Sequence, residues 1–479
     1  MERTYFAWLL GVALLGCGDD TSPQDTSEGS TSSTTSTDTS GTSNETTTGN
    51  VGSTSSGSTG SLDSSSGEEP GTSSSGAAES SSGGDDSGSS STGEAIAPEL
   101  VVVTHGRTVT LFDLSSGTLV DIGEAEIPGD GLLMGHEIFG AALLPGQQAF
   151  YVGSANNCGE DGNWCWGNGR IDRFSYDENG VTHDGAAYIM DDAAFQADGI
   201  SCAEGVDVKP GQQGDCAPVG VTFSPDGSRF YVDDDDLDGV QVFSVEGDGT
   251  LSFIAEGAST SLHGLAIHPS EPVLYNGTSV IQVAKDAPIS GVFGNEGNAT
   301  APLRGDETRM VTTLNNSALA VFDISDALAP VVVDETDLGG GAALFQDHVS
   351  TAAGSVFVVS GRDEIRTVGF NGTDLGLLDE RIYGGISART FRGVTLSGDP
   401  SEQVFAVAAY FQIAPQVDAA PAELPLAGEG APPVFGGSNT FLGGGAQLFA
   451  LDATDGSLME VDDVEFSRPA RVALALPLE

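Results

Sequence analysis

The chain of 479 residues has very little positive charge. It holds 16 lysines and arginines against 70 aspartates and glutamates, so its formal net charge is −54. Only two of the bases are lysines, Lys209 and Lys285. Nucleic acids are bound through basic side chains that neutralise phosphates, and anionic lipid surfaces repel an acidic protein. The composition therefore excludes nucleic acid as a partner, and it favours either a highly soluble protein or one that binds cations.

Long hydrophobic runs are also lacking. The longest, residues 5–15, has eleven residues and is too short to span a bilayer as a helix. It follows Arg3 and ends in Leu-Leu-Gly-Cys at Cys17, which resembles the bacterial lipobox. Residues 1–17 are thus predicted to be a lipoprotein signal peptide, cleaved before Cys17, whose sulfur would carry the lipid. An ordinary secretory signal is the alternative.

The next segment, residues 18–94, consists almost entirely of serine, threonine, glycine and acids. It contains no lysine, arginine or aromatic residue, so it has too little apolar surface to offset the entropy of folding. We predict a disordered linker that tethers a folded domain, residues 95–479, to the membrane. Because Gly18 and not aspartate follows the lipidated cysteine, the outer membrane or the cell surface is the expected location in a Gram-negative cell.

Cysteine is scarce outside the lipobox, and the remaining four residues all lie within one stretch of the folded domain. An even number in an exported chain favours disulfides, and adjacent pairing is the simplest of three connectivities. A zinc site is the alternative, although no C-x-x-C motif is present. The four residues are Cys158, Cys165, Cys202 and Cys216.

The folded domain repeats one phrase. "PVGVTFSPDGSRFYV" begins at Pro218, and imperfect copies begin at Leu262 and Phe391. Each copy is typical of a strand, a tight turn and a second strand. Turn positions recur every 40–45 residues, which is the length of a four-stranded propeller blade. A degenerate unit, "RMVTTLNNSALAVFDISDALAPVVVDE", fills the long gap after Pro269.

The two ends of the domain complement each other. Residues 98–127 predict three strands with no inner strand before them, and "ARVALALPLE" from Ala470 predicts an inner strand with nothing after it. Together they complete one blade. The sequence therefore predicts an all-β fold, a seven-bladed β-propeller closed by the C-terminal strand, which leaves no exposed edge at the junction. We expect a monomer.

Two stretches carry a resemblance to known families. "PVGVTFSPDGSRFYVDDDDLDGVQVFSVEGDGTLSF" resembles a blade of the seven-bladed lactonases of the 6-phosphogluconolactonase type. "LAVFDISDALAPVVV" resembles the LVIVD repeat of bacterial surface propellers. The resemblance extends from about Glu99 to Glu479 and implies the fold more firmly than any activity.

One position near the start of each inner strand predicts a channel site. It is occupied by Phe139, Val219, His263, Asp347, Arg392 and Arg471. Two arginines and a histidine would suit a carboxylate or a lactone carbonyl, with arginine as the clamp and histidine as general acid or base. The resemblance implies arginine and histidine side by side here, but Gly264 and Gly393 follow the polar residues instead. Structural polar residues in the channel are the alternative.

A second candidate site lies in "DDDDLDG". Asp234, Asp236 and Asp238 have the alternating spacing of a calcium loop, followed by Gly239. The glutamate expected at the twelfth position is Val245, and a solvated turn is the alternative reading. No other cofactor is expected.

Two tryptophans, Trp164 and Trp166, lie between cysteines, where they would bind a sugar or a partner, or cover the insertion's own small core. The single histidines His105, His136 and His183 are predicted to be structural.

Taken together, the sequence predicts an envelope lipoprotein whose propeller binds an unidentified small molecule or protein without catalysis. A lactone hydrolase that acts at the channel mouth is the alternative, and a calcium-stabilised adhesion module is a third.

Overall fold

The computed structural model describes most of the folded domain and none of residues 1–98. The described residues are 99–129, 136–156, 169–190, 218–234, 239–258, 264–277, 279–283, 290–292, 297–314, 317–339, 344–383, 389–413, 434–435 and 439–478. All regular elements among them are β-strands, so no helix in this part of the chain is long and apolar enough to cross a membrane. The predicted signal peptide and linker lie outside the described residues.

The strands form seven antiparallel sheets, the blades of a propeller. Blade 1 contains β1 (Leu100–His105), β2 (Thr108–Asp113), β3 (Val120–Glu126) and β29 (Ala470–Leu476). Blade 2 contains β4 (His136–Leu143), β5 (Ala149–Asn156), β6 (Arg170–Asp177) and β7 (Gly180–Ile189). Blade 3 contains β8 (Pro218–Phe223), β9 (Arg229–Asp234), β10 (Gly239–Val245) and β11 (Leu251–Ala258). Blade 4 contains β12 (Leu265–Ile267), β13 (Val273–Asn276), β14 (Ser279–Gln282) and β15 (Ser290–Val292).

The last three blades follow the same plan. Blade 5 contains β16 (Gly297–Leu303), β17 (Asp306–Leu314), β18 (Ala318–Asp323) and β19 (Val331–Asp337). Blade 6 contains β20 (Phe345–Thr351), β21 (Gly354–Ser360), β22 (Glu364–Phe370) and β23 (Leu375–Ile382). Blade 7 contains β24 (Arg389–Asp399), β25 (Gln403–Ile413), β27 (Asn439–Leu451) and β28 (Leu458–Phe466), with the two-residue β26 (Val434–Phe435) paired to β27. The degenerate unit predicted after Pro269 supplies the outer three strands of blade 5.

The ring closes as the sequence predicts. Strand β29 pairs antiparallel with β1, from Leu100 opposite Leu476 to His105 opposite Ala470. Blade 1 therefore combines the last strand of the chain with the first three of the domain. The prediction of seven blades closed by the C-terminal strand is confirmed. Pairing the two ends of the domain in one sheet removes a free edge from the inner strand of blade 1.

Apolar side chains are buried between each pair of adjacent blades. Seven separate clusters lie in these gaps, one for each blade boundary. The gap between blades 2 and 3 is typical, because Tyr151 contacts Phe223 and Phe230 with ring centroids 5.2 and 5.5 Å apart. Successive side chains of a strand point to opposite faces of the sheet. One side chain therefore contacts the preceding blade, and the next side chain along the strand contacts the following blade.

Many of the acids stabilise the turns between strands. In Asp-x-Ser/Thr turns, one carboxylate accepts hydrogen bonds from the backbone N–H and the hydroxyl two residues later. Asp226 accepts from the N–H and the hydroxyl of Ser228, at 3.0 and 2.8 Å. The same pairing occurs at Asp248, Asp306, Asp323 and Asp399. Part of the negative charge that predicts solubility or cation binding therefore has a structural role.

Candidate functional site

The inner strands of all seven blades line one cavity on the axis of the propeller. Its volume is about 180 Å³. The lining includes Phe139, Val219, Gly264, Gln346, Gly393 and Arg471. Inner strands converge here because each is the first strand of its blade and the blades are arranged in a ring. The cavity is small and combines apolar walls with a few polar groups, as ligand sites commonly do.

An ion pair joins two neighbouring inner strands at this cavity. Arg471 on β29 donates from Nε to Glu137 Oε2 on β4. The Arg471 side chain is 13% exposed and that of Glu137 only 2%. The second carboxylate oxygen, Glu137 Oε1, is buried and has no hydrogen-bond partner among the described residues. The pair is thus only partly satisfied, and an unsatisfied buried acceptor costs about 1–3 kcal/mol.

A second arginine lies beside the first. The guanidinium of Arg392 on β24 is 5.9 Å from the ring centroid of Phe411, and that of Arg471 is 5.4 Å from the same ring. Arg471 also lies 4.9 Å from the centroid of Phe139. Both cations are therefore held against aromatic faces, which attract positive charge.

The electrostatics of this pair favour an anion. The pKa of Arg392 is lowered to about 10, chiefly by burial and then by the charges of Arg471 and Arg362, while Glu137 opposes the shift. Arg392 remains charged at neutral pH, and its Nε is buried without a hydrogen-bond partner in the described chain. Three cations thus act on a region where Glu137 is the acid that opposes them. An added carboxylate would offset this excess.

An unsatisfied amide lines the same cavity. Gln346 on β20 is 7% exposed, and neither its side-chain oxygen nor its nitrogen has a hydrogen-bond partner among the described residues. Glutamine supplies both an acceptor and two donors, so it suits a ligand that bears hydroxyl and carbonyl groups. Thr300 also lines the cavity, but its hydroxyl is already 2.9 Å from that of Thr312. Gln346 is therefore the polar group with most unused capacity.

Close packing of the inner strands explains the glycine after Arg392. A Cβ added to Gly393 would lie 2.5 Å from the backbone nitrogen of Ala473 and 2.7 Å from the carbonyl oxygen of Arg471. Gly140 on β4 faces the same restriction, because its Cβ would lie 2.4 Å from the carbonyl oxygen of Val219. No side chain fits at Gly393 without moving β29, so the histidine that the family resemblance implies cannot occupy that position.

The structure brings together two of the four predicted polar residues of the channel, Arg392 and Arg471. Asp347 instead holds blades 5, 6 and 7 together. Its carboxylate accepts from the Arg304 guanidinium at 2.8 and 2.9 Å and from the backbone N–H of Leu396 at 2.7 Å. His263 lies outside the described residues.

The neighbouring His348 is structural as well. Its Nε2 accepts the backbone N–H of Arg304 at 2.7 Å, and burial lowers the pKa of this histidine to about 4. It is therefore neutral at physiological pH. His136 is 2% exposed and lies 2.9 Å from the hydroxyl of Ser154, and His183 is 2.7 Å from the Asp172 carboxylate.

Sequence reasoning missed Glu137, Gln346 and Phe411. Glu137 lies two residues before Phe139 and Gln346 one residue before Asp347, so both lie within two residues of the inner-strand position compared in the sequence. Phe411 lies on β25 and has no sequence relationship to the inner strands. It would not be found without the structure.

The other predicted sites lie outside the described residues. Asp234 ends β9, and its side chain is not described, nor are Asp236 and Asp238. The four cysteines of the folded domain and both tryptophans of the insertion also lie there. In the described part of the chain, no three histidine, cysteine, aspartate or glutamate side chains are placed to hold a metal ion together.

Comparison with known proteins shows the fold. No protein-family model matches the chain, and no curated protein sequence matches it. Among solved structures, the periplasmic gluconolactonase of Pseudomonas aeruginosa is similar, with 13% identity and a TM-score of 0.51 over 80% of this chain and 100% of that one. A Bacteroides fragilis protein, provisionally assigned as a 6-phosphogluconolactonase, has 12% identity and a TM-score of 0.50 over 79% and 98%.

A Sulfolobus tokodaii protein, described as a hypothetical selenium-binding protein, is equally similar in fold. It has 11% identity and a TM-score of 0.50 over 79% of this chain and 94% of that one. At such identities the likeness is one of architecture, and proteins described with different functions share it.

Proposed function

We propose that the propeller is a non-catalytic binding module whose axial cavity takes a small hydroxylated carboxylate. The observation that carries the proposal is the unsatisfied Gln346 amide in the cavity wall together with Arg471, which lines the cavity, and Arg392, which lies beside Arg471 against the same ring. Buried polar groups are nearly always hydrogen-bonded, so groups left without partners at a cavity mark where a ligand or ordered water binds.

The cavity also limits the size of the ligand. A volume of about 180 Å³ lies below the range of about 300–1,000 Å³ for drug-sized ligands, so it suits a small molecule such as a six-carbon sugar acid. A carboxylate would accept from the guanidinium of Arg471, and hydroxyls would exchange hydrogen bonds with Gln346. The apolar walls formed by Phe139 and Val219 would cover the carbon chain.

Calorimetric titration with gluconate tests the proposal. We expect saturable binding that falls about ten- to a hundredfold in Arg471→Gln, because a hydrogen bond to a charged group contributes about 1.5–3 kcal/mol. Gln346→Leu should weaken binding as well, yet leave stability equal or higher, because it removes a buried amide without partners. Arg107→Gln is the matched control, since Arg107 pairs with Glu126 on the exposed edge of blade 1. Binding that is absent, or unchanged in Arg471→Gln, contradicts the proposal.

A lactone hydrolase is the second candidate. The overall fold resembles that of a gluconolactonase, and the two arginines could orient a lactone carbonyl. Hydrolysis also needs a general base to activate water, and Glu137 is engaged by Arg471. Release of acid from glucono-δ-lactone, measured against the uncatalysed rate, distinguishes the two functions. Turnover that is lost in Glu137→Gln would establish the enzyme and reject the binding module.

We propose that the module is carried on a lipid anchor at Cys17, in the outer membrane or at the cell surface, with residues 18–94 as the tether. The support is the apolar run that ends in Leu-Leu-Gly-Cys and the polar composition that follows it. Mass spectrometry of the membrane fraction tests it. An acylated N-terminal Cys17 is expected, and Cys17→Ser should release the protein. A chain that begins at another residue contradicts the proposal.

A further inference from the structure

The outer rim of three consecutive blades carries an unusual share of the exposed apolar residues. Eight of the ten large hydrophobic side chains exposed in the described chain belong to blades 5, 6 and 7. We call them the rim patch: Leu328, Val331, Val332, Leu377, Leu378, Ile382, Met459 and Val461. Single exposed hydrophobic residues are normal on a protein surface, whereas a contiguous group marks an interaction site.

The rim patch lies on neighbouring strands. Seven of its members lie on the outermost strands β19, β23 and β28, and β23 contacts both β19 and β28. Leu378 crosses the gap between two blades, because a Cβ added to Gly456 of blade 7 would lie 2.3 Å from Leu378 Cδ1. These strands are also the outer edges of their sheets, where side chains of the neighbouring blade bond some of the backbone groups: Asp334 accepts the N–H of Leu375 and Asp379 accepts that of Leu458.

A cleft adjoins the patch between blades 6 and 7. It has a volume of about 320 Å³ and is lined by strand residues of blade 6, including Val356, Phe370 and Leu375, and by the turn residue Ala453 of blade 7. Leu378 belongs to both the cleft and the rim patch. An apolar cleft beside an apolar rim suits a partner that inserts one anchoring side chain and covers the rest, as protein interfaces do.

The charge around the patch identifies the kind of partner. Strands β19, β23 and β28 carry nine acids and one base, Arg381. That arginine is already paired with Asp379 at 3.0 Å. A second copy of this chain would bring the same acids face to face, and an anionic lipid surface would be repelled. Complementary charge is supplied by a protein segment that carries lysines or arginines between apolar side chains.

We infer that the rim patch of blades 5–7 is a docking surface for a basic, apolar segment of a partner protein, with one aliphatic or aromatic side chain in the cleft. This surface is separate from the axial cavity, so it operates whether or not the cavity binds a carboxylate.

The test uses the full chain and a fluorescent peptide of alternating lysine and leucine, with a lysine–serine peptide as the electrostatic control. Fluorescence anisotropy should show stronger binding of the lysine–leucine peptide. Val331→Glu and Leu378→Asp should each weaken that binding about tenfold, which corresponds to about 1.4 kcal/mol. Val120→Glu is the matched control, because Val120 also begins an outermost strand and is 42% exposed, but lies in blade 1.

Both glutamate substitutions add the same charge, so general attraction of the lysines should rise equally in Val331→Glu and Val120→Glu. A loss confined to Val331→Glu therefore reports apolar docking. Amide hydrogen exchange with the peptide bound should show protection on β19, β23 and β28. Equal binding of both peptides, or equal effects of both variants, overturns the inference. Two other results would also overturn it. One is a dimer of the chain, seen by sedimentation, that the Val331→Glu substitution dissociates. The other is binding to neutral phosphatidylcholine vesicles that the same substitution abolishes.

Discussion

Replacing Glu137 by glutamine tests the electrostatics of the channel directly. The carboxylate is 2% exposed and pairs with Arg471, which is 13% exposed. Removing one member of a buried ion pair leaves the other charge without compensation and costs about 3–5 kcal/mol. Arg392 lies beside the same aromatic ring, so the variant would leave two adjacent arginines without the acid that opposes them. We therefore expect the upper part of that range.

The expected loss corresponds to a measurable change in melting temperature. Unfolding entropy near 60 °C is about 2.1 cal/mol/K per residue, so the roughly 380 residues of the folded domain give a shift of about 4–6 °C. Differential scanning calorimetry measures it. Glu126→Gln is the matched control, because Glu126 also accepts from an arginine Nε but is 52% exposed. An exposed pair contributes about 0–1 kcal/mol, so the control should melt within about 1 °C of the wild type.

The same variant should gain stability from anions. With the carboxylate gone, gluconate should raise the melting temperature of Glu137→Gln more than that of the wild type, since the arginines have no internal counter-ion. Equal melting temperatures for the variants at Glu137 and Glu126 would refute the reasoning. So would a response to gluconate that is the same with and without Glu137.

Three further predictions concern stability. Gly393→Ala should cost about 1–3 kcal/mol in urea unfolding, because its Cβ would lie 2.5 Å from the Ala473 nitrogen, whereas Gly376→Ala, with nothing within 4 Å, should be near neutral. Asp347→Asn should cost about 1.5–3 kcal/mol by the same assay, since its carboxylate accepts from both an arginine and a backbone N–H; an unchanged midpoint would contradict this. Hydrogen bonds from nearby serines lower the pKa of Asp226 to about 2, so its contribution is present above the ordinary aspartate pKa and is lost as the pH falls towards 2. Melting scans should therefore show a weaker acid dependence in Asp226→Asn between about pH 4 and pH 2 than in the wild type, and identical profiles would exclude this role.

The architecture was predictable because it is written in local patterns. A turn signal every 40–45 residues and apolar runs on either side define hairpins from neighbouring residues alone. The half hairpin from Ala470 onward predicts closure, since an unpaired inner strand needs three strands from elsewhere and residues 98–127 supply them. The candidate site was predictable only in part, because equivalent positions on repeated strands identify Arg392 and Arg471 but not their environment.

The sequence by itself determined the all-β class, the number of blades and the strand that closes the ring, because each depends on the period and order of short-range signals. Only the tertiary structure decided which side chains meet at the axis. It pairs Arg471 with Glu137, places Phe411 against both arginines and directs Asp347 to Arg304. Such choices depend on strand register and on distances between blades that are remote in sequence, so no local pattern encodes them. The apolar rim of blades 5–7 likewise emerges only when three separate strands are brought side by side.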